Sequence, residues 1–179
     1  LVDIGGATTD IHSALPELEN LTIEERGLVI NNEKQFSYRT VEGNLGLRVS
    51  ATGIPDAVGP KAVLRAMDGD FGVTPEEVLD YTEELECHTD HVPADEREAS
   101  LDRALATCAV SVALRRHAGI YAQEADPVMG VMAGTAMGRD LRNVERVLCV
   151  GGIFVHTEEK KGRELVRKCF EDPGISLLP

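Results

Sequence analysis

The order of its elements predicts that this chain folds as an α/β protein. Three observations carry that expectation. Short strand-like runs punctuated by turn residues open the chain, helical segments fill its middle, and a buried run ending in Gly151-Gly152 leads into a last helix. Leu1 to Ile4 and Thr9 to Ser13 read as two strands around a glycine turn. Pro16 to Arg26 is an acidic connector, Gly27 to Ile30 is apolar, and Phe36 to Val41 has strand character. With Asn31-Asn32-Glu33-Lys34 as a turn, this N-terminal part reads as a β-meander of consecutive antiparallel strands.

Glycine-punctuated Asn44 to Thr52 reads as a short helix, and Pro55 to Met67 as another. Thr74-Pro75-Glu76-Glu77 is a strong helix start: Thr74 caps, Pro75 suits the first turn, and Glu77 closes a capping box. That helix should run to about Glu86. Asp95 to His117 is the longest helical segment, and its Leu101, Leu105, Cys108 and Val112 form one buried stripe. Arg115, Arg116 and His117 suit its negative C-terminal end, and Gly119 suits the stop. Arg146 to Val150 then reads as a strand, closed by Gly151-Gly152 and followed by a helix from about Thr157 to Phe170.

At 179 residues and 42% hydrophobic, the chain can bury a core as one domain or two small lobes. With 27% charged residues and no long apolar run, neither disorder nor a membrane span is expected. A net charge of −13 counts against a nucleic-acid or anionic-membrane surface. The widely spaced Cys87, Cys108, Cys149 and Cys169 read as reduced core cysteines of a cytoplasmic protein, and no targeting segment is visible. Leu1-Val2 reads as a strand already under way, so a piece of a longer protein is expected.

Two motifs can carry chemistry. In DIGGATTD, Asp3 to Asp10, the glycines let backbone amides approach a ligand closely, and Thr8 and Thr9 add hydroxyls. Asp3 and Asp10 are unwelcome beside a bare phosphate but suit one bridged by Mg²⁺, and Asp3 can orient an attacking water. The competing reading is a Gly-Gly hairpin whose Asp and Thr side chains satisfy turn hydrogen bonds. In RVLCVGGIFVH, Arg146 to His156, a strand ending in Gly-Gly before a helix can admit an adenine or ribose; it is equally a common tight turn.

In that order, the two motifs resemble the nucleotide site of the actin-like ATPase superfamily, shared by sugar kinases and the seventy-kilodalton heat-shock chaperones. Asp3, Gly5, Gly6, Thr8 and Asp10 match the chaperones' second phosphate loop, D-x-G-G-G-T-x-D, with Ala7 in place of a glycine. Val150-Gly151-Gly152 is similar to their adenosine loop. A closer resemblance is to the glutamate-mutase-associated MutL family, unrelated to the mismatch-repair proteins of that name. It rests on VDIGGATTDIHS, RTVEGNLGLR and the RRHAG…GRDLRNVERVLCVGG region. The resemblance implies a ribonuclease H-like second lobe spanning residues 1–179, with a helical insertion around 53–95 and the first lobe upstream. It implies ATP and Mg²⁺ as ligands: Asp3 and Asp10 serving metal and water, Gly5, Gly6, Ala7, Thr8 and Thr9 the phosphates, and Gly151 and Gly152 the adenosine. It further implies a chaperone or reactivating factor for adenosylcobalamin-dependent glutamate mutase, with this lobe alone inactive as an ATPase. Two alternatives stay open: an ATP-dependent amidohydrolase of the hydantoinase/oxoprolinase kind, and a non-catalytic interaction domain.

Other features read as ordinary. Cys87-His88-x-x-His91 lacks an evident fourth zinc ligand and reads as a surface loop, as does Asn20-Leu21-Thr22. Arg48 reads first as a surface salt bridge, and second as a cation facing a phosphate or an acid. Arg115-Arg116-His117 could meet a ribose, but helix-end charge compensation explains it.

Overall fold

Alternation along the first two strands decides what the main sheet buries. In β1 (Val2–Ile4) and β2 (Thr9–Ala14), Val2, Ile4, Thr9, Ile11 and Ser13 share one face, with Asp3, Asp10 and His12 on the other. The computed structural model describes residues 1–15, 29–30, 36–128, 131–171 and 176–179. Its four-stranded sheet runs β4-β2-β1-β7, with β4 at Ser37–Glu42 and β7 at Cys149–Val150. β1 pairs antiparallel with β2, and β2 with β4, whereas β7 runs parallel to β1, Val2 opposite Cys149 and Asp3 opposite Val150.

The meander is therefore only partly as the sequence suggests. β3 (Val29–Ile30) leaves it and joins β6 (Ala136–Met137) and β5 (Ile120–Tyr121) in a second sheet of order β3-β6-β5. A two-residue apolar strand has no alternation to fix its partner, so the tertiary context chose it. The expected connector, sequon and turn at 16–26, 20–22 and 31–34 lie outside the described residues.

Two helix expectations are corrected. Residues 44–52 form turns, because the amides of Leu47, Arg48 and Val49 donate to the Gly5 and Gly6 carbonyls instead of to one another. The helix expected over 55–67 is two, α1 (Gly53–Val58) and α2 (Pro60–Ala66). They break at Gly59, whose φ of 80° suits glycine, just before a proline that disfavours helix in the residue preceding it. α3 (Pro75–Cys87) begins with the anticipated capping box, the Thr74 side chain and the Glu77 carboxylate each accepting the other's backbone N–H.

α4 (Glu96–His117), capped by Asp95, is the spine of the fold. It packs against the main sheet, α1, α2 and α6 (Glu159–Cys169), so burial extends well beyond the expected single stripe. Its alanines permit this by letting neighbours come close on several sides. Arg103, within α4, donates to Asp68 at 2.8 Å and Glu96 at 2.6 Å, while Lys168 of α6 reaches Asp68 at 2.8 Å. The short α5 (Gly152–His156) follows β7 directly. Among the described residues, no helix is long and apolar enough to cross a membrane.

Candidate functional site

The β1–β2 hairpin closes with the Gly5 amide donating to the Thr8 carbonyl at 2.9 Å. Its carbonyls are tied to the segment behind it: Gly5 accepts from Leu47 at 3.0 Å, Gly6 from Arg48 and Val49 at 2.8 Å each, and Ala7 from the Ser50 hydroxyl at 2.6 Å. The contact is so close that a Cβ on Gly46 would lie 2.3 Å from the Ala7 carbonyl carbon. Fully buried Thr9 completes the clamp, its hydroxyl donating to Leu45 at 2.6 Å. Among the described residues, the amides of Gly6, Ala7 and Thr8 donate to no backbone acceptor, and Gly6 and Ala7 are exposed. The hairpin thus spends its carbonyls inward and keeps three N–H groups for another acceptor.

The second glycine pair lies beside it. Gly151 has a φ of 121°, and a Cβ there would stand 2.1 Å from the Ile4 carbonyl oxygen. Beyond this contact opens a cleft of about 420 Å³, lined by Gly5 and Gly6 on one side and Gly152, Ile153 and His156 on the other. It sits past the carboxyl ends of parallel β1 and β7, where open α/β sheets bind ligands. Ala7, Thr8, Thr9, Gly151, Asp3 and Asp10 do not line it.

Arg48, Asp102 and His91 also border the cleft. Arg48 donates to Asp102 at 2.8 Å, to the His91 carbonyl at 3.2 Å and to the Leu47 carbonyl at 2.6 Å. Asp102 is buried, and its other oxygen accepts from the Tyr81 hydroxyl at 2.9 Å. Burial, then the neighbouring Asp102 charge, push the Tyr81 phenol far above its usual range, so it stays a donor. The ion pair anticipated for Arg48 is thus real but largely buried. Asp102 and Tyr81 went unnoticed in the sequence, because nothing local links them to the hairpin, whereas His156 already closed the second glycine motif.

Asp3 and Asp10 stand directly opposite each other across β1 and β2, on the sheet face away from Ile4. Like charges so placed repel. Arg39 offsets one of them, donating to Asp10 Oδ2 at 3.1 Å. Asp10 Oδ1 is buried with no hydrogen-bond partner. An orphaned carboxylate oxygen beside a second carboxylate fits Mg²⁺, which takes one or two protein carboxylates and fills its shell with water and phosphate oxygens. No cluster of three or more metal-ligating side chains occurs among the described residues.

The remaining candidates fall elsewhere. His91, in the loop between α3 and α4, lies 3.1 Å from Glu98 of α4. Cys87, at the end of α3, is an exposed free thiol and not the core cysteine expected, while Cys108 and Cys169 are buried. Arg116 pairs with Glu42, and Arg115 donates to the Glu171 carbonyl at 3.4 Å. His117 is buried, so it does not serve as a charged helix end. Its Nε2 lies 2.7 Å from the Ser13 hydroxyl and its Nδ1 2.8 Å from that of Thr40. Burial, then the nearby Arg139 guanidinium, push it down to about 4.

Fold and site together define an α/β protein with a mixed sheet and a glycine-walled cleft at the ends of its parallel strands. The chain belongs to the MutL protein family, whose family model matches residues 1–179. It is similar to Protein MutL of Clostridium tetanomorphum, 38% identical over 161 residues, an alignment covering 88% of this chain and 32% of that relative. The chain thus spans about a third of that relative's length. No solved structure matches it significantly.

Proposed function

We propose that this chain is the nucleotide-binding lobe of an actin-like ATPase that serves adenosylcobalamin-dependent glutamate mutase as a chaperone or reactivating factor. Membership of the MutL family supports the association with the mutase. The observation that carries the nucleotide reading is the meeting of two distant motifs, the glycine hairpin and the Gly151-Gly152 turn, at one cleft.

On this reading the base and ribose lie along Gly152 and Ile153, and the phosphates run from the cleft past Gly6 to the free amides of Ala7 and Thr8 beyond its lining. The Gly46 contact and the Thr9 hydroxyl keep the hairpin rigid, so the amides need no reorganisation when phosphate arrives. Arg48, fixed by its ion pair with Asp102, braces the segment whose amides hold the hairpin carbonyls. Asp3 and Asp10 would hold Mg²⁺, which neutralises charge developing on the phosphates. Asp3, without a side-chain partner among the described residues, orients the attacking water. The first lobe, elsewhere in the protein, supplies the opposite wall, and closure of the two lobes on ATP transmits the change to the mutase.

Replacing Asp3 with Asn in the full-length protein tests this. ATP hydrolysis should fall by about two orders of magnitude or more, and recovery of inactivated mutase should fall with it. Hydrolysis at the wild-type rate would contradict the assignment. Wild-type turnover of hydantoin or 5-oxoproline would redirect it to an amidohydrolase.

A further inference from the structure

We propose that Arg39 is the resident counter-cation of Asp10, and that its release from Asp10 accompanies divalent-cation binding at the Asp3–Asp10 pair. This rests on the nucleotide and metal reading above.

The two buried aspartates among the described residues are served very differently. Asp102 has both oxygens satisfied, one by Tyr81 and one by Arg48, whose own side chain is only 18% exposed. That is a finished structural ion pair. Asp10 is nearly as buried, yet it receives a single 3.1 Å bond, and its second oxygen has no partner. The residue directly opposite it on β4 is Val41, which offers no polar group. Arg39 faces His12 and reaches Asp10 only on the diagonal, with 56% of its side chain in solvent. A guanidinium so exposed loses little when it returns to water, whereas the carboxylate it leaves cannot remain buried beside Asp3 without another cation. The arrangement holds the Asp10 carboxylate in place with a counter-charge, and yields when a stronger cation arrives.

The test is Mn²⁺ binding to the full-length protein in the presence of ATP, followed by electron paramagnetic resonance. Arg39→Gln should tighten Mn²⁺ by about two- to fivefold, the range expected from removing a half-exposed pair. Asp10→Asn should abolish the site. Arg116→Gln removes the same charge from a half-exposed pair with Glu42, which lies opposite Thr9 on the other face of the sheet from Asp10, and should leave affinity unchanged. If Asp10→Asn abolishes binding but Arg39→Gln leaves it unchanged or weaker, the role of Arg39 is overturned and the metal reading stands. An equal gain in Arg116→Gln would reduce the effect to overall charge and overturn it as well. If Asp10→Asn binds Mn²⁺ as the wild type does, the metal reading fails, and this inference with it.

Discussion

Gly151 abuts Ile4 so closely that a Cβ on the glycine would stand 2.1 Å from the Ile4 carbonyl oxygen. This contact joins the end of β7 to the start of the hairpin. It fixes the distance between the two glycine motifs.

Gly151→Ala should therefore destabilise the protein by about 2–3 kcal/mol, through steric overlap and a positive φ that alanine resists. Thermal unfolding of the purified protein measures it. Gly162→Ala is the control, since a Cβ there meets nothing within 4 Å in the interior of α6. It should stabilise by about 0.5–1 kcal/mol. Equal effects from the two substitutions would contradict the close approach.

Asp102→Ala should cost about 2–4 kcal/mol, because it strands the Arg48 guanidinium and the Tyr81 hydroxyl in a poorly solvated place. Tyr81→Phe, which removes one of the two bonds, should cost about 1 kcal/mol. Chemical denaturation distinguishes them. A double variant with Arg48→Met should recover part of the Asp102→Ala loss, since no unpaired charge then remains.

His117 should make stability fall on mild acidification. Arg139 Nε donates to the Ser13 hydroxyl at 2.9 Å, leaving that hydroxyl to donate to His117 Nε2. Nδ1–H then donates to Thr40, a neutral tautomer, and burial and the Arg139 charge oppose a second proton. Its value in the folded state, about 4, is depressed below the ordinary 6.5. A depressed value means the unfolded chain binds the proton first. The stability is complete above pH 6.5, and roughly 2–3 kcal/mol of it is lost as pH falls through about 4. The melting temperature of the wild type should drop across this window, and that of His117→Asn should drop less.

Thiol labelling should separate the cysteines. Cys87 is exposed, while burial pushes Cys108 up to about 11 and Cys169 higher still. In the native protein Cys87 should react with a disulfide reagent first, and Cys108 and Cys169 only at the rate of unfolding. Rapid labelling of Cys108 would contradict the packing of α4.

The legible parts of this fold were those whose signals are local. The capping box at Thr74, the glycine hairpin and the Gly-Gly turn after β7 each rest on residues within a few positions of one another. What stayed hidden depends on distant partners. Residues 44–52 have helical spacing, yet their amides go to Gly5 and Gly6. β3 has a strand's composition, but its pairing to β6 spans most of the chain. In the site, Asp3 and Asp10 were visible through their spacing around the glycines. Arg39 and Asp102 were not, because only sheet register and helix packing bring them there.

The central claim is that the hairpin and the Gly-Gly turn hold one nucleotide between them. Titration of a fluorescent ATP analogue into the full-length protein, with Gly6→Val and Gly152→Val tested separately, addresses it most directly. Neither position has a positive φ, and a Cβ at either meets only side-chain atoms no nearer than 3.4 Å, so both variants should fold. Each should weaken binding by at least about tenfold, because the added groups fill the cleft. Wild-type affinity in both, with circular dichroism unchanged, would contradict the account.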